Sequence, residues 1–439
     1  MRAPRTFLAS IFCLALASPG VAQDATLITG ARIFDGVSED LIEGQDVLVE
    51  DGLISAIGAD LDAPEGATVL DAGGRFLMPG FADMHSHLMF QMPFGLAFSS
   101  DREYWAYVAS VTAEQYLMQG FTTVRDVGGN SFSLKLAIDQ GILVGPRVYP
   151  SGPMISQSSG HSDHRTDANA PGSLEFDPSV PMKYFHAAIA DGREEVLRTV
   201  REVLRRRASQ IKISVGGGTG SYADPLDTMQ YTDDEIRAAV EAAEDWNTYV
   251  TAHVYNSDGI IRALENGVKS IEHGNLMSEE AMRLMMEKDA WLSPQVIVYT
   301  FHPAGYNDEQ KARHDEAFDG IDQMFTMAKE LGFENIVFGT DVITSPAMLA
   351  RANEEFVLRT EWFDNIEILR QATSKSAELL ALSGPRNPYP GTLGVIAEGA
   401  HADILLIDGN PLEDMSVMTE YEERFDLIMK GGEIFKNAL

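Results

Sequence analysis

The chain has 439 residues, of which 45% are hydrophobic and 23% charged, a composition sufficient for one large folded core. Acidic residues outnumber basic ones by 66 to 33, which gives a formal net charge of −33. A surface this acidic repels nucleic acid and anionic lipid, so we expect neither nucleic acid nor a membrane as a partner.

The first 22 residues have the layout of an export signal. Arg2 and Arg5 precede an apolar stretch, and small residues follow it up to Ala22. The stretch is shorter than the ~18–20 apolar residues that span a bilayer, and a buried N-terminal helix is the alternative. We predict a signal peptide at 1–22, cleavage near Ala22, and a periplasmic or secreted location. The only cysteine, Cys13, lies in this segment, so a metal would have to be held by His, Asp, Glu or a modified Lys.

Two β-rich segments flank the long middle of the chain. Runs such as "ATLITGARIFDG" and "DVLVEDGLISAIG" alternate between glycine-containing turns, and a similar pattern returns in "FDLIMKGGEIFKN". We predict that residues 23–79 and 392–439 form one small β-sandwich domain built from both chain ends.

The middle, residues 80–391, alternates short apolar runs with helical stretches. Eight runs are strand candidates: "GFADMH", "GFTTVRD", "RVYPSG", "QIKISV", "YVTAHV", "SIEHG", "WLSPQV" and "IVFGTD". One intervening helix opens with the capping pair Thr232 and Glu235. This alternation predicts an α/β fold, a parallel (β/α)8 TIM barrel, with an open doubly wound sheet as the alternative. The segment 151–190 has no clear period and is predicted to be a long loop over the barrel mouth.

Polar side chains with metal-binding chemistry close several of these runs. In a (β/α)8 barrel the chemistry lies at the carboxyl ends of the strands. The candidates at or near those ends are His85, His87, Asp126, Lys212, His253, His273 and Asp341. A single histidine in an apolar run usually belongs to the core, but four histidines and an aspartate distributed over four strand ends indicate a metal site.

The motifs "LMPGFADMHSHL", "GFTTVRDVGG", "IKIS", "TAHVY", "IEHG" and "FGTD" resemble, in this order, the strand ends of the metal-dependent amidohydrolase superfamily. The resemblance runs from about Thr26 to the end of the chain. It is greatest to the secreted or periplasmic Xaa-Pro dipeptidases and the ochratoxin-hydrolysing amidases. It implies a hydrolase acting on C–N bonds of a small-molecule amide or dipeptide, and a homo-oligomer.

The resemblance also implies roles for the strand-end residues. Two zinc ions would be held by six ligands: His85, His87, Lys212, His253, His273 and Asp341. The first two histidines and Asp341 would bind the more buried ion, and the later two histidines the other. Lys212 would be carboxylated and bridge the ions, because two neighbouring dications need an anion between them. Asp341 would carry a proton from the attacking water to the leaving amine.

Two further residues would contact the substrate by the same resemblance. His161 and Tyr255 would donate hydrogen bonds to the developing oxyanion. Relatives often read Gly-Gly-His where this chain has Ser159, Gly160 and His161, so His164 is an alternative donor and substrate contact.

Other conspicuous residues receive structural interpretations. Asp126 is predicted to be structural support beside Arg125 and not a ligand. The "GGGTGS" stretch at 216–221 lacks the Lys and Ser/Thr of a phosphate-binding loop, which favours a flexible segment beside the Lys212 strand. The remaining histidines are predicted to lie at the surface or in loops: His186, His302, His314 and His401.

The leading hypothesis is a binuclear zinc amidohydrolase of the ochratoxin A amidase type, which hydrolyses N-acyl or peptidyl L-amino acids and releases L-phenylalanine. An Xaa-Pro or other dipeptidase would use the same chemistry. A mononuclear deaminase or cyclic-amide hydrolase is less favoured, because single-metal members lack the bridging lysine. A non-catalytic scaffold is disfavoured, because all six ligands are present. Specificity would lie in loops 151–190 and 295–310. The aromatic stretch "VIVYTFHPAGY" slightly favours a large hydrophobic substrate, with internal packing of the stretch as the alternative.

Overall fold

The computed structural model describes residues 25–170, 177–221 and 223–439. The predicted signal peptide, with Cys13, lies outside these ranges. Within them, no helix combines the length and the apolar character needed to cross a membrane.

The described ranges contain eighteen strands: β1 (Ala25–Thr29), β2 (Arg32–Ile33), β3 (Asp46–Glu50), β4 (Leu53–Gly58), β5 (Thr68–Asp71), β6 (Phe76–Pro79), β7 (Phe81–Ser86), β8 (Phe121–Asp126), β9 (Arg147–Pro150), β10 (Met154–Ser156), β11 (Ala187–Ile189), β12 (Ile211–Ser214), β13 (Val250–Asn256), β14 (Ser270–Leu276), β15 (Trp291–Ser293), β16 (Ile404–Ile407), β17 (Phe425–Lys430) and β18 (Glu433–Asn437).

The α-helices of the same ranges are α1 (Phe94–Ala97), α2 (Arg102–Met118), α3 (Phe132–Asp139), α4 (Val180–Lys183), α5 (Arg193–Arg205), α6 (Asp233–Glu244), α7 (Ser257–Glu265), α8 (Glu279–Glu287), α9 (Asp308–Leu331), α10 (Pro346–Leu349), α11 (Glu354–Leu358), α12 (Asn365–Ala372), α13 (Ser374–Ala381) and α14 (Tyr421–Arg424). The predicted capping box of Thr232 and Glu235 is present at the start of α6.

Strands β7 to β15 form a closed, TIM-barrel-like wall. They make two parallel sheets, in the orders β7-β8-β9 and β11-β10-β12-β13-β14-β15. Residues 335–341 complete the wall between β15 and β7. On one side Val337 N–H donates to Leu292 O at 3.0 Å, and on the other Met84 N–H donates to Phe338 O at 2.8 Å. The α/β barrel predicted from the alternation of apolar runs and helices is therefore the observed architecture.

The segment 151–190 differs from its prediction as a loop. Met154–Ser156 is a strand whose Ile155 lies opposite Ile213 of β12, and Ala187–Ile189 pairs with it in parallel. Residues 180–183 form a short helix. Three-residue strands are too short to show a period-2 pattern in the sequence, so the barrel context and not local alternation determines them.

Strands from both chain ends form two further sheets, in the orders β4-β3-β1-β5 and β18-β17-β16-β6-β2. Strand β6 pairs antiparallel with β16, so the N-terminal and C-terminal parts of the chain share one sheet. Buried residues of both sheets, including Ile28, Val47 and Leu406, belong to one apolar cluster. The boundaries 23–79, 80–391 and 392–439, and the description of the outer two as a sandwich, stay predictions.

Candidate metal centre and active site

The predicted metal ligands converge at the carboxyl ends of the barrel strands. His85 Nε2 lies 3.3 Å and His87 Nε2 3.1 Å from Asp341 Oδ1, and His273 Nδ1 lies 3.9 Å from Asp341 Oδ2. The ligand atoms of His85, His273 and Asp341 are all within 4.8 Å of one another. The ring of His253 lies 4.5 Å from that of His273. All six predicted ligands line one cavity of about 410 Å³.

Two of these residues hold an unusual backbone conformation. His273 has φ +70° and Asp341 has φ +49°, both in the left-handed region that non-glycine residues rarely adopt. Asp341 is fixed there by its N–H, which donates to His85 O at 2.8 Å. Such conformations cost roughly 1–3 kcal/mol each and cluster at functional sites. The strain marks this cluster as the candidate active site.

The charge states of the cluster suit a divalent metal ion. Burial lowers the pKa of His85 to about 4 and puts those of His253 and His273 well below the ordinary value, so these imidazoles are neutral with a free lone pair. Burial alone would raise the pKa of Asp341. The neighbouring imidazoles of His85, His87 and His273 outweigh it and hold that pKa well below the usual range. Neutral imidazoles around an ionised carboxylate form a donor set that fits zinc.

Lys212 is buried in β12 with only 3% of its surface exposed. Burial lowers its pKa to about 8, although the carboxylates of Glu272 and Asp341 act in the opposite direction. A sizeable fraction of this amine is therefore uncharged near neutral pH. An uncharged, buried amine is nucleophilic, so carboxylation of Lys212 is chemically reasonable at this position.

A buried acid behind the cluster was not among the sequence candidates. Glu272, in β14, places Oε2 2.8 Å from His85 Nδ1 and Oε1 2.6 Å from Arg125 Nη2. Burial would raise its pKa, but the charge of Arg125 and the hydrogen bond with His85 hold it well below its usual range. A carboxylate on the far ring nitrogen orients a metal-binding histidine. The sequence signal was an acid within the apolar run "SIEHG", immediately before His273.

Asp126 lies at the end of β8. Of the predicted ligands, His87 interacts with its carboxylate electrostatically. Its Oδ1 accepts a hydrogen bond from Gly128 N–H at 3.1 Å. Burial raises its pKa to about 7. Its neighbour Arg125 points into the barrel and pairs with Glu272, so the two residues support different parts of the wall.

The loop that carries His161 brings this residue against the cluster. The rings of His161 and His253 stack at 3.7 Å with an interplanar angle of 11°. Ser159, where relatives often have glycine, adopts φ +60° and its N–H donates to Asp163 Oδ2 at 2.9 Å. The serine therefore adopts the left-handed turn that glycine favours. His164 lines the same cavity, with its ring edge-on to Phe98 at 5.8 Å.

The glycine-rich stretch at 216–221 packs closely against the same histidines. Gly217 O is 3.0 Å from His253 Nε2. A Cβ atom at Gly218 would overlap the ring of His161, so only glycine fits there. Close approach to the histidines, more than flexibility, accounts for this glycine.

Tyr255 is joined to the cluster through a second tyrosine. Its ring stacks on His273 at 4.8 Å, and its hydroxyl oxygen lies 2.7 Å from that of Tyr299. The Tyr299 hydroxyl in turn lies 3.1 Å from His273 Nδ1. Burial raises the pKa of both phenols, so both stay protonated. Tyr299 was missed as a site residue, although it lies in "VIVYTFHPAGY", the stretch that predicted a hydrophobic substrate.

Of the four remaining histidines, His314 contradicts its prediction as a surface or loop residue, whereas His186 lies in the loop before β11 but is not at the surface. His186 is buried, stacks on Trp105 at 4.1 Å, and its Nδ1 accepts a hydrogen bond from Asn130 N–H at 3.0 Å. His314, in α9, is buried at the cavity wall. Tertiary packing buries both, which local sequence does not reveal. His302 is exposed and His401 half-buried.

Comparisons with known proteins agree with this geometry. The amidohydrolase family matches residues 76–434. Ochratoxinase from Aspergillus niger is 30% identical over 448 aligned positions, which cover 96% of this chain and 89% of the relative. The structure of A. niger ochratoxinase superposes with a TM-score of 0.82 at 28% identity, over 94% of this chain and 96% of the other.

Two peptidase structures are also similar. A prolidase complexed with N-methylphosphonate-L-proline has a TM-score of 0.87 at 34% identity, over 94% of this chain and 100% of the other. A Xaa-Pro dipeptidase with methionine in its active site has a TM-score of 0.82 at 30% identity, with the same coverage. The chain therefore belongs to the amidohydrolase family, whose members depend on metal, and is a hydrolase acting on amide bonds.

Proposed function

We propose that the protein is a binuclear zinc amidohydrolase of the ochratoxin A amidase type, which releases an L-amino acid such as L-phenylalanine from a bulky acyl group. The observation that carries the proposal is the cavity itself. It has the six predicted metal ligands on one side and Phe90, Phe94 and Phe98 among its other lining residues. The similarity to an ochratoxinase over nearly the whole chain supports the same substrate class.

The metal ligands are proposed to be His85, His87, Lys212, His253, His273 and Asp341. The uncharged Lys212 amine would add carbon dioxide and lose a proton, and the resulting carbamate would supply the bridging anion. When bound, the two zinc ions supply Lewis-acid activation of water and of the scissile carbonyl.

Asp341 moves the proton in this proposal. Its carboxylate is ionised, and Oδ1 lies within 3.3 Å of ring nitrogens of both His85 and His87. From that position it orients the attacking water, accepts its proton, and delivers it to the nitrogen of the leaving amine.

Tyr255 and His161 would donate hydrogen bonds to the carbonyl oxygen as charge develops on it. The contacts of Tyr255 fix the proton positions that this requires. If Tyr255 O–H points at the substrate, Tyr299 O–H must donate to Tyr255, and His273 Nδ1–H must donate to Tyr299. His273 then has only Nε2 left as a metal ligand, the usual arrangement in which the other ring nitrogen is a donor.

A cation is available for the carboxylate of the released amino acid. Apart from histidines, the cationic residues lining the described cavity are Lys212 and Arg165. Lys212 belongs to the metal centre, so Arg165 is proposed to bind the substrate carboxylate. It is anchored by Asp163, which accepts its Nε–H at 2.7 Å.

A dipeptidase acting on Xaa-Pro or another dipeptide is the second candidate, favoured by the similarity to a prolidase at 34% identity. Product analysis with zinc-loaded enzyme on ochratoxin A, N-acyl amino acids and Xaa-Pro dipeptides separates the two. Release of L-phenylalanine from ochratoxin A with little Xaa-Pro cleavage supports the leading proposal. No amide cleavage in any of the three would refute the substrate class.

The number of bound metal ions distinguishes both candidates, the amidase and the dipeptidase, from a mononuclear deaminase or cyclic-amide hydrolase. We expect two zinc ions per chain, and a large loss of activity and of one ion in Lys212→Ala. One zinc per chain together with a fully active Lys212→Ala variant would contradict the binuclear centre.

The proposal has three further parts. The protein is exported to the periplasm or the medium, it forms a homo-oligomer, and residues 23–79 and 392–439 form a β-sandwich.

A further inference from the structure

A second group of metal-binding side chains lies beside the cavity, outside the six ligands. His302 is in the segment 301–307, and His314 and Asp315 are neighbours in α9. His302 Nε2 lies 2.7 Å from Asp315 Oδ1, and the rings of the two histidines are 5.5 Å apart. One ligand atom from each of the three residues lies within 4.8 Å of the others.

The chemistry of this group fits a borderline transition-metal ion. Two imidazoles and one carboxylate are three protein ligands, a number that leaves a tetrahedral ion one position for water. Ligands about 2.0–2.1 Å from such an ion are about 3.3 Å apart, so the ligand atoms, which lie within 4.8 Å of one another, would have to approach by at most roughly 1.5 Å. The side chains of His302 and Asp315 are 39% and 63% exposed, so we expect these two side chains to make that approach.

His314 supplies the fixed side of the group. It is buried between Tyr299 and Tyr306, whose ring centres are 5.2 and 5.8 Å away. Its Nδ1 is buried and makes no hydrogen bond of ordinary geometry among the residues that the structure describes, although the backbone of Val298 lies near the ring. A buried ring nitrogen with no partner is costly, and a ligand would relieve that cost.

The position of the group is such that a bound ion would join the segment 301–307 to α9. Residues 303–307 line the cavity, directly after His302, and α9 begins at Asp308. A metal ion bound by His302 and by the two residues of α9 would close this segment into a short loop. It would thereby restrain the cavity wall that carries Tyr306.

We propose that His302, His314 and Asp315 bind a further divalent transition-metal ion, with zinc as the best fit, which holds the segment 301–307 against α9. The site is separate from the six ligands of the proposed function and does not depend on that function. An ion bound at this site would restrain the substrate cavity without taking part in the chemistry.

Zinc content measured by equilibrium dialysis of the holoenzyme tests the site. We expect His302→Ala and Asp315→Asn each to bind one zinc fewer per chain than the natural sequence at the same free zinc concentration. Glu316→Gln changes the next exposed carboxylate of α9 and should bind the full number. Because all four proteins share the six-ligand centre, the difference of one ion is independent of how many ions that centre holds.

Crystals of the natural sequence give a second readout that needs no variant. Diffraction data collected at the zinc absorption edge should show an anomalous peak between His302, His314 and Asp315. Equal zinc content in all four proteins, or a crystal without a peak at this position, would overturn the proposal and leave the His302–Asp315 contact as a surface ion pair.

Discussion

The hydroxyl of Tyr299 offers the sharpest test of the proposed proton arrangement. It bridges Tyr255 O at 2.7 Å and His273 Nδ1 at 3.1 Å, both buried. Tyr299→Phe removes both hydrogen bonds, releases Tyr255 from its orientation and leaves His273 Nδ1–H without an acceptor. The hydrogen bond that orients Tyr255 contributes about 0.5–1.5 kcal/mol. At 1.36 kcal/mol for each tenfold change in rate, its loss should lower kcat about 2- to 13-fold.

Steady-state kinetics on the substrate that the enzyme cleaves best provides the assay, with metal content measured in parallel. We expect kcat to fall and KM to change little, because Tyr255 acts on the developing oxyanion. Tyr255→Phe should itself lose about 10²–10³-fold in kcat. The double variant should be no slower than Tyr255→Phe, since Tyr299 acts through Tyr255. Tyr306→Phe, which removes another cavity hydroxyl, should have the smaller effect.

Two results would refute this reasoning. An unchanged kcat in Tyr299→Phe would mean that the two contacts do not orient Tyr255. Losses of Tyr255→Phe and Tyr299→Phe that multiply in the double variant would mean that the two tyrosines act independently.

Three further predictions follow from individual contacts. Glu272→Gln should weaken zinc binding about 10- to 100-fold in dialysis, because His85 loses the carboxylate on Nδ1; unchanged affinity would remove Glu272 from the centre. Arg165→Met should raise KM for substrates with a free carboxylate about tenfold or more, but not for the matching carboxamides, since a hydrogen bond to a charged group is worth about 1.5–3 kcal/mol. Burial lowers the pKa of His186 from 6.5 to about 3, so the unfolded chain binds more protons between these values and stability falls as the pH falls through them. Urea unfolding at pH 7 and pH 5 should therefore show a loss about 2 kcal/mol larger in the natural sequence than in His186→Gln, and parallel losses would contradict the burial argument.

The position of the candidate site was predictable because it depends on topology. Once the alternation of runs and helices indicates a parallel barrel, every strand must end at the same face. His85, Lys212 and Asp341 are far apart in the chain, yet the barrel brings them to one cavity. The bridging and proton-transfer roles came from resemblance and stay predictions.

What the sequence could not predict depends on tertiary contacts. Glu272 is one of 66 acidic residues in the sequence, and only its short distances to His85 and Arg125 in the fold distinguish it from the others. Tyr299 has an apolar neighbourhood in the sequence that does not show which way its hydroxyl points. His186 is buried against Trp105, a residue of a different element, and the three-residue strands β10 and β11 are held by pairing with their neighbours. Both depend on contacts between separate elements.

The seam between residues 335–341 and β7 has a consequence for folding, because both of its edges must be present before the barrel can close. The seam joins parts of the chain separated by more than half its length, and it includes the hydrogen bond from Asp341 N–H to His85 O. We expect so long a loop to close late in folding, and residues 335–341 are synthesised long after β7. A nascent chain can thus present His85 and His87 to solvent for most of its synthesis without a catalytic partner. We expect the predicted ligands His85, His87 and Asp341 to come together only when this seam closes, and an ion bound by all three would then hold its two edges together.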